Sequence, residues 1–216
     1  MTIMKSLFGL NVPTSLSEIC DREQLALLVY DMQIGIVGQI KGAETIVGNV
    51  GRALKVARDA GVRVFFTRHM SLPLSLMGVF QLRMAMMWQR VDEPGQVEPK
   101  FLRDSPGFPI VPELTPLGSE AVFDKITMSA FEGTPLNVAL RDCGIKAVAI
   151  AGIALEVGIE PTVRHAIDLG FIPVIISDAC GAGSEEAARR TLESLAFEGN
   201  ALVTDVATFT ERIGRR

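Results

Sequence analysis

Four short apolar runs, each closed by a charged residue, a glycine or an alanine, constrain this chain more than any other feature. They are LALLVYD (25–31), VRVFFTR (62–68), KAVAIAG (146–152) and FIPVIISDA (171–179); EAVFDK (120–125) and ALVTDV (201–206) repeat the pattern more weakly. Runs that are apolar at nearly every position suit strands buried on both faces, and so a parallel sheet. Segments of helical period lie between them. In 43–60, Ala43, Ile46, Val47, Val50, Leu54 and Ala57 share one face, and Gly61 follows where a helix would stop. Segments 134–143, 159–169 and 184–198 likewise end at Gly144, Gly170 and Gly199, and Ser184 with Glu185 and Glu186 forms a helix start. This repeated βα rhythm predicts an α/β fold: three layers, doubly wound around a six-stranded, mainly parallel sheet.

The chain has 216 residues, 48% of them hydrophobic, which is enough for one well-filled domain. Residues 1–24 read as an N-terminal arm, 25–216 as a single domain, and 69–119 as an insertion holding Trp88, the chain's one tryptophan. The arm lacks the apolar core and cleavage site of a signal peptide. No apolar run approaches the roughly 20 residues of a membrane span. A net charge of −4, with no basic stripe, gives nucleic acid no footing. Cys20, Cys143 and Cys180 are too scattered for a disulfide framework and fit reduced thiols, so a cytoplasmic protein is expected. His69 and His165 lie at no metal-site spacing from other ligands, and both read as structural.

Ligands of open parallel sheets sit beyond the carboxyl ends of the strands. That rule nominates Asp31, Arg68, His69, Lys125 and the elbow at 152–158. An aspartate and a lysine brought together can exchange a proton with a substrate. The elbow itself, between Gly152 and Pro161, holds no Ser, Cys or Thr.

These same residues carry a family likeness. LLVYDMQIGIV resembles the opening strand of the isochorismatase-like hydrolases, the cysteine hydrolase superfamily. FDKITMSAFEGTPLNVALRDCGIKAVAIAGIALEVGIEPTVRHAIDLGFIPVIISDACGA resembles the second half of that family, and GFPIVPELTP its lead-in. The resemblance runs from about residue 25 to 206. It implies an Asp–Lys–Cys triad, with Asp31 and Lys125 as the first two members. The cysteine position falls on Gly158, so the usual attack through a thiolate is ruled out there. It also implies a cis peptide between Ile153 and Ala154, and an oxyanion hole of the Ala154 and Gly158 amides.

The isochorismatase branch includes members with glycine at this position. They cleave a vinyl ether without a covalent step, the aspartate protonating the enol carbon. The expectation is therefore acid-catalysed, non-covalent hydrolysis of a small vinyl-ether or cyclic acid by Asp31 and Lys125. Two alternatives stand beside it: a catalytically silent binding or scaffolding member, and an amidase that activates water directly. Gln33 either holds a water or Asp31 or bonds at the core edge. Arg68 either pairs with a substrate carboxylate or bridges to the 69–119 insertion, which reads as a lid over the site or as packing against a partner subunit, and Glu156 either binds substrate or caps. Trp88 and Phe131 are either pocket walls or packing. No cofactor and no metal are expected. The small-molecule substrate has no further partner except other copies of the chain, as a homodimer or homotetramer.

Overall fold

The computed structural model describes residues 5–214; residues 1–4 of the arm, and Arg215 and Arg216, lie outside the described residues. A small antiparallel hairpin comes first, β1 (Lys5–Leu7) and β2 (Leu10–Val12), followed by the short helix α1 (Leu16–Ile19). The sheet then alternates with helices. It is built from β3 (Leu25–Tyr30), β4 (Arg63–His69), β5 (Ala121–Lys125), β6 (Ala147–Ile153), β7 (Ile172–Gly181) and β8 (Leu202–Thr204). The helices are α2 (Ile34–Val37), α3 (Ala43–Asp59), α4 (Val79–Gln89), α5 (Leu136–Asp142), α6 (Glu160–Asp168), α7 (Glu185–Phe197) and α8 (Val206–Gly214).

The strand order is β5-β4-β3-β6-β7-β8 and every pairing is parallel, the doubly wound sheet that the apolar runs predict. All six residues of β3 and all seven of β6 are buried, as a sheet covered on both faces requires. Alternation along β3 divides the core in two. Leu25, Leu27 and Val29 pack toward α3 and α8, while Ala26, Leu28 and Tyr30 face the layer of α5 and α6. Tyr30 therefore points to the side where the elbow after β6 begins its helix.

That elbow is a π turn, Leu155–Ile159, running directly into α6. Pro161 has no N–H to give to the preceding turn, and a widened turn accommodates that loss. Ser184 caps α7 by accepting from the Ala187 N–H, as its position suggests. The 69–119 insertion is mostly irregular around α4. Its lead-out lies against residues 32–35: Val111 N–H donates to Met32 O at 2.9 Å and Gly35 N–H to Gly107 O at 3.0 Å.

The backbones of β6 and β3 lie close together at Gly152. Gly152 sits at φ +139°, opposite Tyr30, and a β-carbon there would stand 2.0 Å from Tyr30 O. Gly152→Ala is expected to cost at least ~3 kcal/mol or to abolish folding, because both the left-handed φ and the clash are with backbone that cannot yield. Urea unfolding measures the loss.

Candidate active site

Asp31 closes β3 with φ 47°, a left-handed conformation that aspartate tolerates better than most residues. The turn aims its carboxylate across β4. Oδ1 accepts from Thr67 Oγ1 at 2.7 Å, and Oδ2 accepts from Lys125 Nζ at 2.6 Å. Lys125 ends β5, on the far side of β4, and its ammonium reaches over that strand. Nζ also donates to Tyr30 Oη at 2.8 Å and to Thr127 O at 3.2 Å, so all three N–H bonds are engaged. The lysine side chain is 1% exposed. Burial pushes the Lys125 ammonium below its ordinary range, opposed by the charge of Asp31. Such an ammonium gives up a proton more readily than a solvated lysine.

The cleft outside these residues has a volume of about 480 Å³ and is walled by Ile40, Phe101, Met128, Val157, Trp88 and Arg90, among others. Asp31, Lys125, Ile153, Ala154 and Gly158 all border it. The Ile153–Ala154 peptide is cis. Gly158 is buried beside Tyr30, and a β-carbon on it would lie 2.0 Å from Tyr30 Oη. The tyrosine hydroxyl thus fills the space a side chain at 158 would need.

Several residues named from sequence sit elsewhere. The Gly158 N–H donates to Ala154 O at 3.0 Å inside the π turn, so it is spent on the helix and not aimed into the cleft as an oxyanion donor. Arg68 turns away from the cleft: its Nε donates to Asp124 Oδ1 at 2.8 Å and its guanidinium stacks on Phe108 at 4.4 Å. Gln33 is fully buried and clamps two backbones, donating to His69 O and Phe108 O and accepting from the His69 N–H. Glu156 Oε1 accepts from the Gly183 and Ser184 N–H groups at 2.7 and 2.9 Å, capping the start of α7, while its Oε2 is buried without a hydrogen-bond partner among the described residues. Phe131 is core, stacked on Phe171 at 5.8 Å. Trp88 does border the cleft, at the end of α4.

Three residues join the site without having been assigned to it, and a fourth, His69, was nominated by its strand end but read as structural. Thr67 and Tyr30 are strand positions that read as core. Arg90 lines the cleft, with no ion pair among the described residues. His69, read as structural, also lines it, one position beyond Arg68 on the other side of β4. The alternation of a strand gives the cleft to one of two adjacent residues, and the pairing of Arg68 with Asp124 decides which.

No group of three His, Cys, Asp or Glu side chains among the described residues is arranged to hold a metal. Cys180 is buried on β7, and burial raises its thiol to about 12, so it is no thiolate near neutrality. Burial likewise lowers the His69 imidazole to about 4, with Asp31 opposing and Lys125 reinforcing. An unfolded chain takes up that proton near pH 6.5. Between about pH 6.5 and 4 the unfolded state therefore binds more protons, and stability falls as pH falls. Comparing thermal melts of the wild type and His69→Gln from pH 7 down to pH 4 measures this. The wild type is expected to lose its advantage over the variant across that window.

An isochorismatase domain matches residues 25–208 of the chain. An uncharacterised isochorismatase family protein of Escherichia coli O157:H7, YecD, is 34% identical over 166 residues, covering 74% of this chain and 81% of that protein. Among solved structures, a cysteine hydrolase from Pseudomonas syringae pv. phaseolicola superposes with a TM-score of 0.77 at 24% identity, over 90% of this chain and 94% of the other. A zinc-bound pyrazinamidase of Pyrococcus horikoshii superposes with a TM-score of 0.71 at 21% identity, over 84% and 99%. The two superpositions speak for the same fold, and the domain match with the YecD relationship speaks for descent: the chain belongs to the isochorismatase family.

Proposed function

We propose that this family hydrolase works without a covalent intermediate, cleaving a vinyl ether in a small carboxylic acid. The observation that carries the reading is the Tyr30 hydroxyl, which occupies the space a nucleophile at 158 would fill. Among the described residues no Ser, Thr or Cys borders the cleft, which leaves the proton-exchanging pair and no side chain of the usual nucleophile types.

That pair suffices for the chemistry. The resting ammonium is charged; when substrate enters and excludes water, its proton passes over 2.6 Å from Lys125 Nζ to Asp31 Oδ2, a transfer favoured by the added cost of keeping two charges out of water. Asp31 then protonates the terminal carbon of the enol ether, and the former double bond becomes an oxocarbenium ion. Water adds to the cationic carbon that bears the ether oxygen and loses a proton to Lys125; the hemiketal then collapses to a ketone as its hydroxyl proton passes to the ether oxygen, which leaves as the alcohol. One water is consumed, and both side chains return to their starting state. Arg90 takes the part first given to Arg68, pairing with the substrate carboxylate at the rim of the cleft. The exposed Val79, Phe80 and Met87 on α4, together with Trp88, support assembly of this chain into a homodimer or homotetramer.

Two measurements test the reading on a panel of isochorismate, related enol-ether acids and small amides. Asp31→Asn is expected to abolish enol-ether cleavage while ligand binding survives, and prior treatment with iodoacetamide is expected to leave wild-type turnover unchanged. Ammonia release from amides that iodoacetamide stops would sink the non-covalent mechanism. Arg90→Gln is expected to raise KM on the order of tenfold, the worth of one exposed charge-assisted contact, with kcat little altered.

A further inference from the structure

Gly158 and Tyr30 form a matched pair. A β-carbon on Gly158 would lie 2.0 Å from Tyr30 Oη and 2.5 Å from Cζ, so no side chain can stand at 158 while the tyrosine holds its place. The tyrosine is held from several directions. It is 2% exposed, its hydroxyl donates to Met128 O, and the same oxygen accepts from Lys125 Nζ. Around it, the Thr162 hydroxyl ties Gly158 O to the Ala130 N–H at 2.7 and 3.0 Å.

We propose that Tyr30 is a positioning residue that has replaced the side chain at 158, its hydroxyl and ring keeping the Lys125 ammonium charged and aimed at Asp31. The role this gives Lys125 in turnover rests on the non-covalent mechanism above; the placement of Tyr30 does not.

The order of donors explains why a phenol fits here. Its proton goes to Met128 O, which leaves a lone pair for the lysine. The ring itself lies 4.3 Å from Nζ, adding a cation–π contact that is strongest out of water. Burial, then the charge of Asp31, raises the phenol well above its ordinary value, so it stays neutral and does not become a nucleophile in its own right. The charged and titratable groups facing Lys125 are Asp31 from β3 and His69 from β4. His69 is neutral near pH 7, so Asp31 supplies the one opposing charge. Without the tyrosine oxygen, the ammonium would keep only Asp31 and Thr127 O as acceptors.

Tyr30 is the only tyrosine in the chain, so the near-ultraviolet phenolate band reports on it alone. In the native wild type that band is expected to stay silent until alkali unfolds the chain; a phenol titrating near 10 in the folded protein overturns the placement. Tyr30→Phe keeps the ring and removes the hydroxyl. Followed by carbon NMR of the lysine side chains, Lys125 is expected to titrate lower by about one to two pH units, the size of one hydrogen bond to a charged group. An unmoved Lys125 reduces Tyr30 to a filler and overturns the proposal. The shared volume is read by a double-mutant cycle: Gly158→Ala is expected to lower Tm sharply or prevent folding, and to cost far less beside Tyr30→Val. Gly158→Ala melting like wild type with the phenol still silent is the contrary result. None of these readouts needs turnover. A protein inert on every substrate sinks the proposed hydrolysis and leaves Tyr30 in place, whereas a mobile phenol in an active enzyme does the reverse.

Discussion

A lysine ammonium held inside the molecule is the constraint around which this structure is arranged. Left unpaired, such a charge would cost several kcal/mol, and it persists because every one of its N–H bonds is met. The acceptors come from the end of β3, twice over, and from the loop after β5. Because Lys125 starts from the far side of β4, meeting those acceptors locks three neighbouring strand ends and the 127–130 loop into one piece. Asp31 takes a left-handed backbone conformation at that junction, and Thr67 completes its hydrogen bonds. An aspartate and a lysine so fully hydrogen-bonded within the protein are preorganised: neither has to be ordered when a ligand arrives.

The sheet supplies the other half of the arrangement. Parallel strands bring their carboxyl ends to one edge, and β3 and β6 lie side by side where the order of strands reverses. Chain that leaves β3 on one side and β6 on the other opens the cleft between Asp31 and the elbow. Gly152 lets β6 lie against the Tyr30 backbone, and Gly158 lets the elbow lie against the Tyr30 side chain. The same residue of β3 is thus met twice by glycines from one β-loop-α segment. At Gly158, where that segment carries no side chain, a buried phenol from the neighbouring strand stands beside the Asp31–Lys125 pair.

Much of this was open to inspection in the sequence. All six strands of the sheet lie at the apolar runs; β3 and β6 are buried on both faces, which requires apolar residues at nearly every position, while the half-buried edge strands β5 and β8 carry the weaker runs. Helix boundaries were legible at Gly61, Gly144, Gly170 and Gly199 for the related reason that a helix commonly ends where a residue must adopt positive φ. Asp31 and Lys125 were legible because a charge closing an apolar strand has few places to go. The residues around them were not. Arg68 and His69 are adjacent, and the direction of each side chain follows from the register of β4 with β5 and from Asp124 as partner. Gln33 carries a group suited to ligands, yet both its amide atoms are spent on backbone groups that folding would otherwise bury without partners, and Glu156 gives one carboxylate oxygen to the same use.

By itself, then, the sequence determined the doubly wound sheet, the edge at which the site lies, the aspartate and lysine in it, and the absence of a side chain at 158. Those are consequences of periodicity and of local chemistry, which act over a few residues. Tertiary structure alone decided that Tyr30, from a strand far away in the chain, stands in the space Gly158 leaves, that Lys125 reaches it over β4, and that Arg90 and not Arg68 faces the cleft. Each depends on which atoms the folded backbone brings within a few ångströms of one another, and no local pattern of residues encodes such a distance.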